Sequence, residues 1–201
     1  MKIYFAGPLF TPYVREWISH HAQILRDQGM DPFVPHESFR PHVTPEGMRF
    51  LAEKGLLTVE QLSSPTVPDV VNELLRRGLV RREDIGLPPM TPEHIFRVDL
   101  GGLRAANAVL AVLDGTQVDD GTACELGIFY GLMRSDPSKK GIVGLMNDAR
   151  GARKAATNWG LNYFVLGTIE ECGKVVADFQ DALALLKEWR GELTKATERP
   201  Q

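Results

Sequence analysis

Residues 108–114, AVLAVLD, form an unbroken apolar run closed by an aspartate. A strand that is apolar on both faces must be covered on both, and such strands belong to parallel sheets sandwiched between helices. Parallel strands are joined by crossovers, so the flanking sequence should alternate between apolar strands and amphipathic helices. Lys2–Ala6 reads as a strand that stops at Gly7-Pro8. Thr11 then precedes Pro12, an N-cap followed by proline at the first helical position. Val14, Trp17, Ile18, His21, Ala22 and Leu25 recur on one helical face as far as Gly29. Met30–Val34 gives a second strand. Thr91-Pro92 opens a helix through Ala106 that delivers the chain to AVLAVLD. A helix over 120–133, a strand at 141–147 (GIVGLMN), a fifth strand at 162–167 (NYFVLG) and a terminal helix over 174–193 complete the pattern. In the last, Val175, Phe179, Leu183, Leu186 and Trp189 are spaced to pack on a sheet.

The expected fold is α/β: a single-domain, flavodoxin/Rossmann-like parallel five-stranded sheet flanked by helices, spanning 1–193, with a frayed tail at 194–201. A chain of 201 residues suits one such core. Between Phe39 and Met90 the alternation lapses into short helical pieces, PEGMRFLAEKG, TVEQLSS and PDVVNELLRRG. Residues 41–90 therefore read as a helical insertion after strand two, either a lid or an oligomer contact.

A formal charge of −3 leaves no electrostatic footprint for nucleic acid or anionic lipid. No stretch reaches the roughly 18 apolar residues of a membrane span, and MKIYFAGPLF breaks too early for a secretory leader, so a cytoplasmic protein is expected. Cys124 and Cys172 lie far apart, outside any C-x-x-C spacing, and read as free thiols. The histidines offer no H-x-x-x-H pair on one face with a carboxylate between, so a metal centre is not expected.

Ligands of open parallel sheets bind beyond the carboxyl ends of the strands. GTACELG, residues 121–127, lies at such an end and places Glu125 in the first turns of a helix. Unpaired N–H groups and the helix dipole favour negative charge there, so the carboxylate should stay ionised. An ionised carboxylate in a crevice suits covalent attack on a sugar's anomeric carbon. Asp119 or Asp120 can protonate a leaving group, and Gly121 lets the backbone come close to a ligand. The same stretch also fits a capping box, Thr122-x-x-Glu125, with a purely structural glutamate. Asp-Gly is, equally, ordinary turn chemistry.

IYFAGPLF, RVDLGGLRAANAVLAVLDG, VDDGTACELG and Asn162 ahead of an apolar run occur in an order and spacing that resembles the nucleoside 2-deoxyribosyltransferase family, over roughly 1–40 and 94–190. The resemblance implies an enzyme that moves 2-deoxyribose between a 2′-deoxyribonucleoside and a free nucleobase, without cofactor. It puts the nucleophile on Glu125 and its partner aspartate on Asp119. Asp99 falls where an aspartate assists proton transfer near the base, and Tyr4 where a tyrosine orients the glutamate. Substrate contacts are implied at Gly7, Pro8, Phe10, Asp120, Gly121, Thr122, Asn162 and Phe164. Asn162 would reach a neighbouring subunit's sugar, which implies a homo-oligomer with sites completed across subunits.

The sequence departs from that pattern after strand two, where PHESFRPH stands in place of a base-reading amide and leaves Glu37 or His36 as substitutes. Tyr163-Phe164 makes the wall beside Asn162 aromatic. Two other functions use the same scaffold: an N-glycosidase on deoxynucleosides or their 5′-monophosphates, and a nucleotide sensor without turnover. The first loop, GPLFTP, offers only Thr11 to a phosphate, which disfavours the monophosphate version.

Overall fold

The computed structural model describes residues 1–39, 43–58, 61, 64, 67–149 and 160–197. Five strands, β1 (Lys2–Ala6), β2 (Asp31–Phe33), β3 (Ala108–Val112), β4 (Gly141–Leu145) and β5 (Lys174–Val176), form one sheet in the order β2-β1-β3-β4-β5. Every pairing is parallel. The central strands β3 and β4 are buried along their whole length, as an apolar run with two covered faces requires.

The chain divides into two compact units, Met1–His36 with Val98–Gln201, and Glu37–Arg97. In the first, α1 (Pro12–Asp27) and α8 (Phe179–Thr197) cover one face of the sheet. Ile18, Ala22 and Leu25 of α1 and Leu183 and Leu186 of α8 meet Ile3 and Phe5 of β1 there. The C-terminal part of α5 (Pro92–Ala105), α6 (Asp120–Met133) and α7 (Tyr163–Cys172) cover the other face, through Leu103, Leu126, Phe129, Leu166 and Ile169. Thr11 caps α1 by accepting the Val14 N–H, ahead of Pro12, and the short α2 (Pro35–Ser38) follows β2. The second unit has a core of its own, in which Leu51 of α3 (Pro45–Glu53) and Val71 and Leu74 of α4 (Val67–Arg76) pack with Ile85. Two of the three predicted helical pieces are thus present; most of TVEQLSS lies outside the described residues.

The fifth strand is a correction. NYFVLG does not extend: Asn162 accepts the Phe164 N–H at 2.9 Å and caps α7, and β5 is the shorter run Lys174–Val176. An apolar run of six cannot separate strand from helix. Extended to Cys172, the same stretch buries Leu166 and Ile169 three residues apart, which is helical spacing. The terminal helix accordingly starts at Phe179, with Val175 in β5, and runs to Thr197, past Leu193 where the sequence ends it.

Candidate active site

The connections after β1 and β3 leave the sheet on opposite faces, so a crevice opens at the carboxyl ends of these adjacent strands. Tyr4 on β1 pairs in register with Phe33 on β2 and Val109 on β3. Its side chain points to the face covered by α5 to α7 and is fully buried. The phenol donates to Glu125 Oε1 at 2.5 Å, which ties the first strand to α6 across 121 residues of chain. Phe33 stacks on the Tyr4 ring with centroids 5.3 Å apart and planes 18° off parallel. Asp99 of α5 completes the cluster, and its charge raises the pKa of both Glu125 and Tyr4.

The electrostatics follow from burial. Desolvation pushes the Glu125 carboxyl from 4.5 up to about 7; the Tyr4 hydrogen bond opposes the rise, and the charges of Asp99 and Asp119 add to it. Desolvation also lifts Asp99 from 3.8 to about 6. Asp99 Oδ1 is buried and accepts no hydrogen bond among the described residues. Tyr4 is driven far above its ordinary range by burial and then by the neighbouring Glu125.

Glu125 is therefore not held ionised by the helix start. It is the sixth residue of α6, beyond the first turn to which the dipole effect is confined. Nor does the capping box form. The N-cap is Asp119, whose Oδ2 accepts the Thr122 N–H at 2.9 Å and the Thr122 hydroxyl at 3.2 Å. Thr122 is buried and committed to that cap, and Glu125 is left to Tyr4.

The remaining predicted residues are dispersed. Asp120 and Gly121 are exposed, and Asp120 turns back to accept the Gly121 N–H. Gly7 packs so closely that a Cβ would lie 3.0 Å from Ile18 and 3.1 Å from Val112. Pro8 and Phe10 line a cleft of about 440 Å³ with Tyr13, Trp17, Asp114 and Asn147. Phe10 is 79% exposed. Asn162 and Phe164 lie elsewhere. Phe164, 86% exposed, lines a groove with Gly127 and Tyr130 of α6, two positions roughly 200° and 140° around the helix from Glu125. They belong to the far side of α6.

Several residues were not anticipated. Asp114 Oδ1 accepts the N–H groups of Asn147 and Asp148, and Asp148 Oδ2 returns a bond to the Gly115 N–H, so the loops after β3 and β4 hold each other. Lys139 is buried and its Nζ donates to the carbonyls of Leu103, Arg104 and Ala106, tying down the end of the helix that carries Asp99. Among the described residues, no three His, Cys, Asp or Glu side chains group to hold a metal ion, and no helix is long and apolar enough to cross a membrane.

Fold and site together define an α/β protein with a protonatable carboxylate pair at the switch point of a parallel sheet. The sequence model of the nucleoside 2-deoxyribosyltransferase family matches residues 3–186, and the chain belongs to that family. The match runs through the helical segment after β2 that the motif resemblance leaves out. Among solved structures, a conserved protein from Enterococcus faecalis V583 is similar with a TM-score of 0.57 at 21% identity, over 96% of this chain and 98% of its own. A 2-desoxiribosyltransferase from Leishmania mexicana gives 0.52 at 16%, over 93% and 97%. The 2-deoxyribosyltransferase from Bacillus psychrosaccharolyticus gives 0.49 at 21%, over 90% of each. No curated protein matches the chain.

Proposed function

We propose that the protein transfers 2-deoxyribosyl groups between nucleobases through a covalent deoxyribosyl-Glu125 intermediate, with retention of configuration. The supporting observation is a half-buried carboxylate with one oxygen fixed: Tyr4 holds Oε1, and Oε2 takes no hydrogen bond among the described residues. Oε2 attacks C1′ of a 2′-deoxyribonucleoside as the C1′–N bond breaks, and the electron pair leaves with the base. Asp99, lacking a partner at Oδ1, gives that base its proton from the minor form of the one-proton pair in which Asp99 is protonated and Glu125, the group of higher pKa, is ionised. A second base then loses a proton to Asp99, attacks C1′ and releases Glu125. Two inversions give net retention. Without a 2′-hydroxyl the oxocarbenium-like transition state is reached more easily, and exclusion of water decides transfer over hydrolysis. Asp119 supports the start of α6 and raises the pKa of Glu125 by its charge.

Asn162 and Phe164, on the flank of α6 away from the chain's own Glu125, serve the site of a neighbouring copy in a homo-oligomer. Mixing Glu125→Ala with Asn162→Ala protein should then restore activity that neither variant has alone.

Incubation with a deoxynucleoside and a different free base tests the reaction. A new deoxynucleoside supports the proposal, free deoxyribose alone makes the protein a hydrolase, and neither product leaves a binding module. Mass analysis of protein quenched during turnover should find deoxyribose on the peptide containing Glu125, and Glu125→Ala should lose both adduct and exchange.

A further inference from the structure

Phe33 closes β2 on the same side of the sheet as Tyr4, because the two residues are partners in parallel register. The face of its ring lies against the Tyr4 phenol. Its edge lies against α5 at Gly102, where a Cβ would come within 2.7 Å of Cδ1 and Cε1. Asp99 is one helical turn before Gly102 on that helix. A single ring is thus wedged between the strand residue that holds Glu125 and the helix that carries Asp99. Gly102 is what lets the helix backbone ride directly on it, since any side chain there meets the ring first.

We propose that Phe33, seated on Gly102, is a positioning residue: it fixes the Tyr4 phenol on Glu125 and sets the height of Asp99 above the same carboxylate. It acts through its contacts with Tyr4 and with α5 at Gly102. The inference rests on the transferase reading for its kinetic consequence, although the contact itself can be tested without turnover. Loss of the flat face in Phe33→Leu keeps an apolar side chain of similar reach but frees the phenol to rock. Gly102→Ala forces the ring to turn or α5 to lift.

Two measurements test it. At a pH where Glu125 is ionised, the 2.5 Å bond from Tyr4 should give a downfield phenolic proton resonance that is missing in Tyr4→Phe. The resonance should move or broaden in Phe33→Leu and in Gly102→Ala while both variants keep cooperative unfolding. A resonance unmoved in both overturns the positioning role, whether or not the wild-type protein transfers deoxyribose. The second measurement is a double-mutant cycle on kcat. Phe33→Leu should lower kcat about tenfold in the wild-type background, with KM nearly unchanged, and by less than about twofold in the Tyr4→Phe background. Equal losses in the two backgrounds mean a general structural effect and overturn the inference. Failure of the wild-type protein to exchange bases counts against the transferase reading, and leaves the resonance to decide the role of Phe33.

Discussion

Replacing Glu125 by glutamine should make the protein more stable, and only above the pH at which the glutamate ionises. Glutamine keeps an acceptor for Tyr4 but carries no charge to bury. The folded-state pKa of Glu125 is raised, so the native protein holds a proton that the unfolded chain has released between pH 4.5 and about 7. Wild-type stability is therefore fully present below 4.5, falls through that window and levels above 7. A rise from 4.5 to about 7 corresponds to about 3.4 kcal/mol. The carboxyl is half-buried, and water on its open flank screens part of that cost, which leaves about 2 kcal/mol. Urea unfolding should show Glu125→Gln ahead of wild type by under about 1 kcal/mol at pH 5 and by about 2 kcal/mol at pH 8. In a chain of this size the second figure is a rise of about 4–8 °C in Tm. A gap that is equal at the two pH values, or one that favours wild type at pH 8, would refute the claim that Glu125 is ionised at the expense of the fold.

Three further outcomes follow from the same geometry. The pH profile of kcat/KM should be a bell with limbs near 6 and 7, since below it both carboxyls are protonated and above it neither holds a proton; a profile rising steadily to pH 9 would exclude the one-proton pair. Asp119→Ala should cost about 1 kcal/mol in urea unfolding through loss of the α6 cap. It should also lower the pKa of Glu125, visible as a downward shift of one limb, because the Asp119 charge raises it. Lys139→Met should cost about 3 kcal/mol, since it strands the carbonyls of Leu103, Arg104 and Ala106 without a donor; a loss under about 0.5 kcal/mol would show that water replaces the ammonium.

The strand and helix alternation was legible because its signals are local: a doubly covered strand at 108–112, and a threonine and proline opening α1. NYFVLG is ambiguous because six residues are too few to separate a strand from a helix, although Asn162 ahead of it is a residue type suited to an N-cap. At Glu125 the sequence carries position but not environment. The helix dipole depends on the helix start alone, whereas the pKa is raised first by burial, is opposed by the Tyr4 hydrogen bond and is raised further by the charges of Asp99 and Asp119. Asp119 had a readable signal, an aspartate three residues before a threonine N–H at a helix start, which the Asp-Gly turn obscured. Gly102 was also readable: two glycines inside a helical pattern cost stability and mark a close approach. Lys139 was not, because nothing in SDPSKK distinguishes a buried ammonium from a solvated one.

The loops beyond β3 and β4 answer each other's N–H groups with carboxylates from Asp114 and Asp148. Neither loop can gain or lose a residue at the join without orphaning a donor supplied by the other, so their lengths are coupled. Diversification of the cleft that holds Phe10 is then left to the β1 side, where Pro8 and the exposed Tyr13 can change in size, whereas Trp17 is held by His21, Phe5 and Phe179.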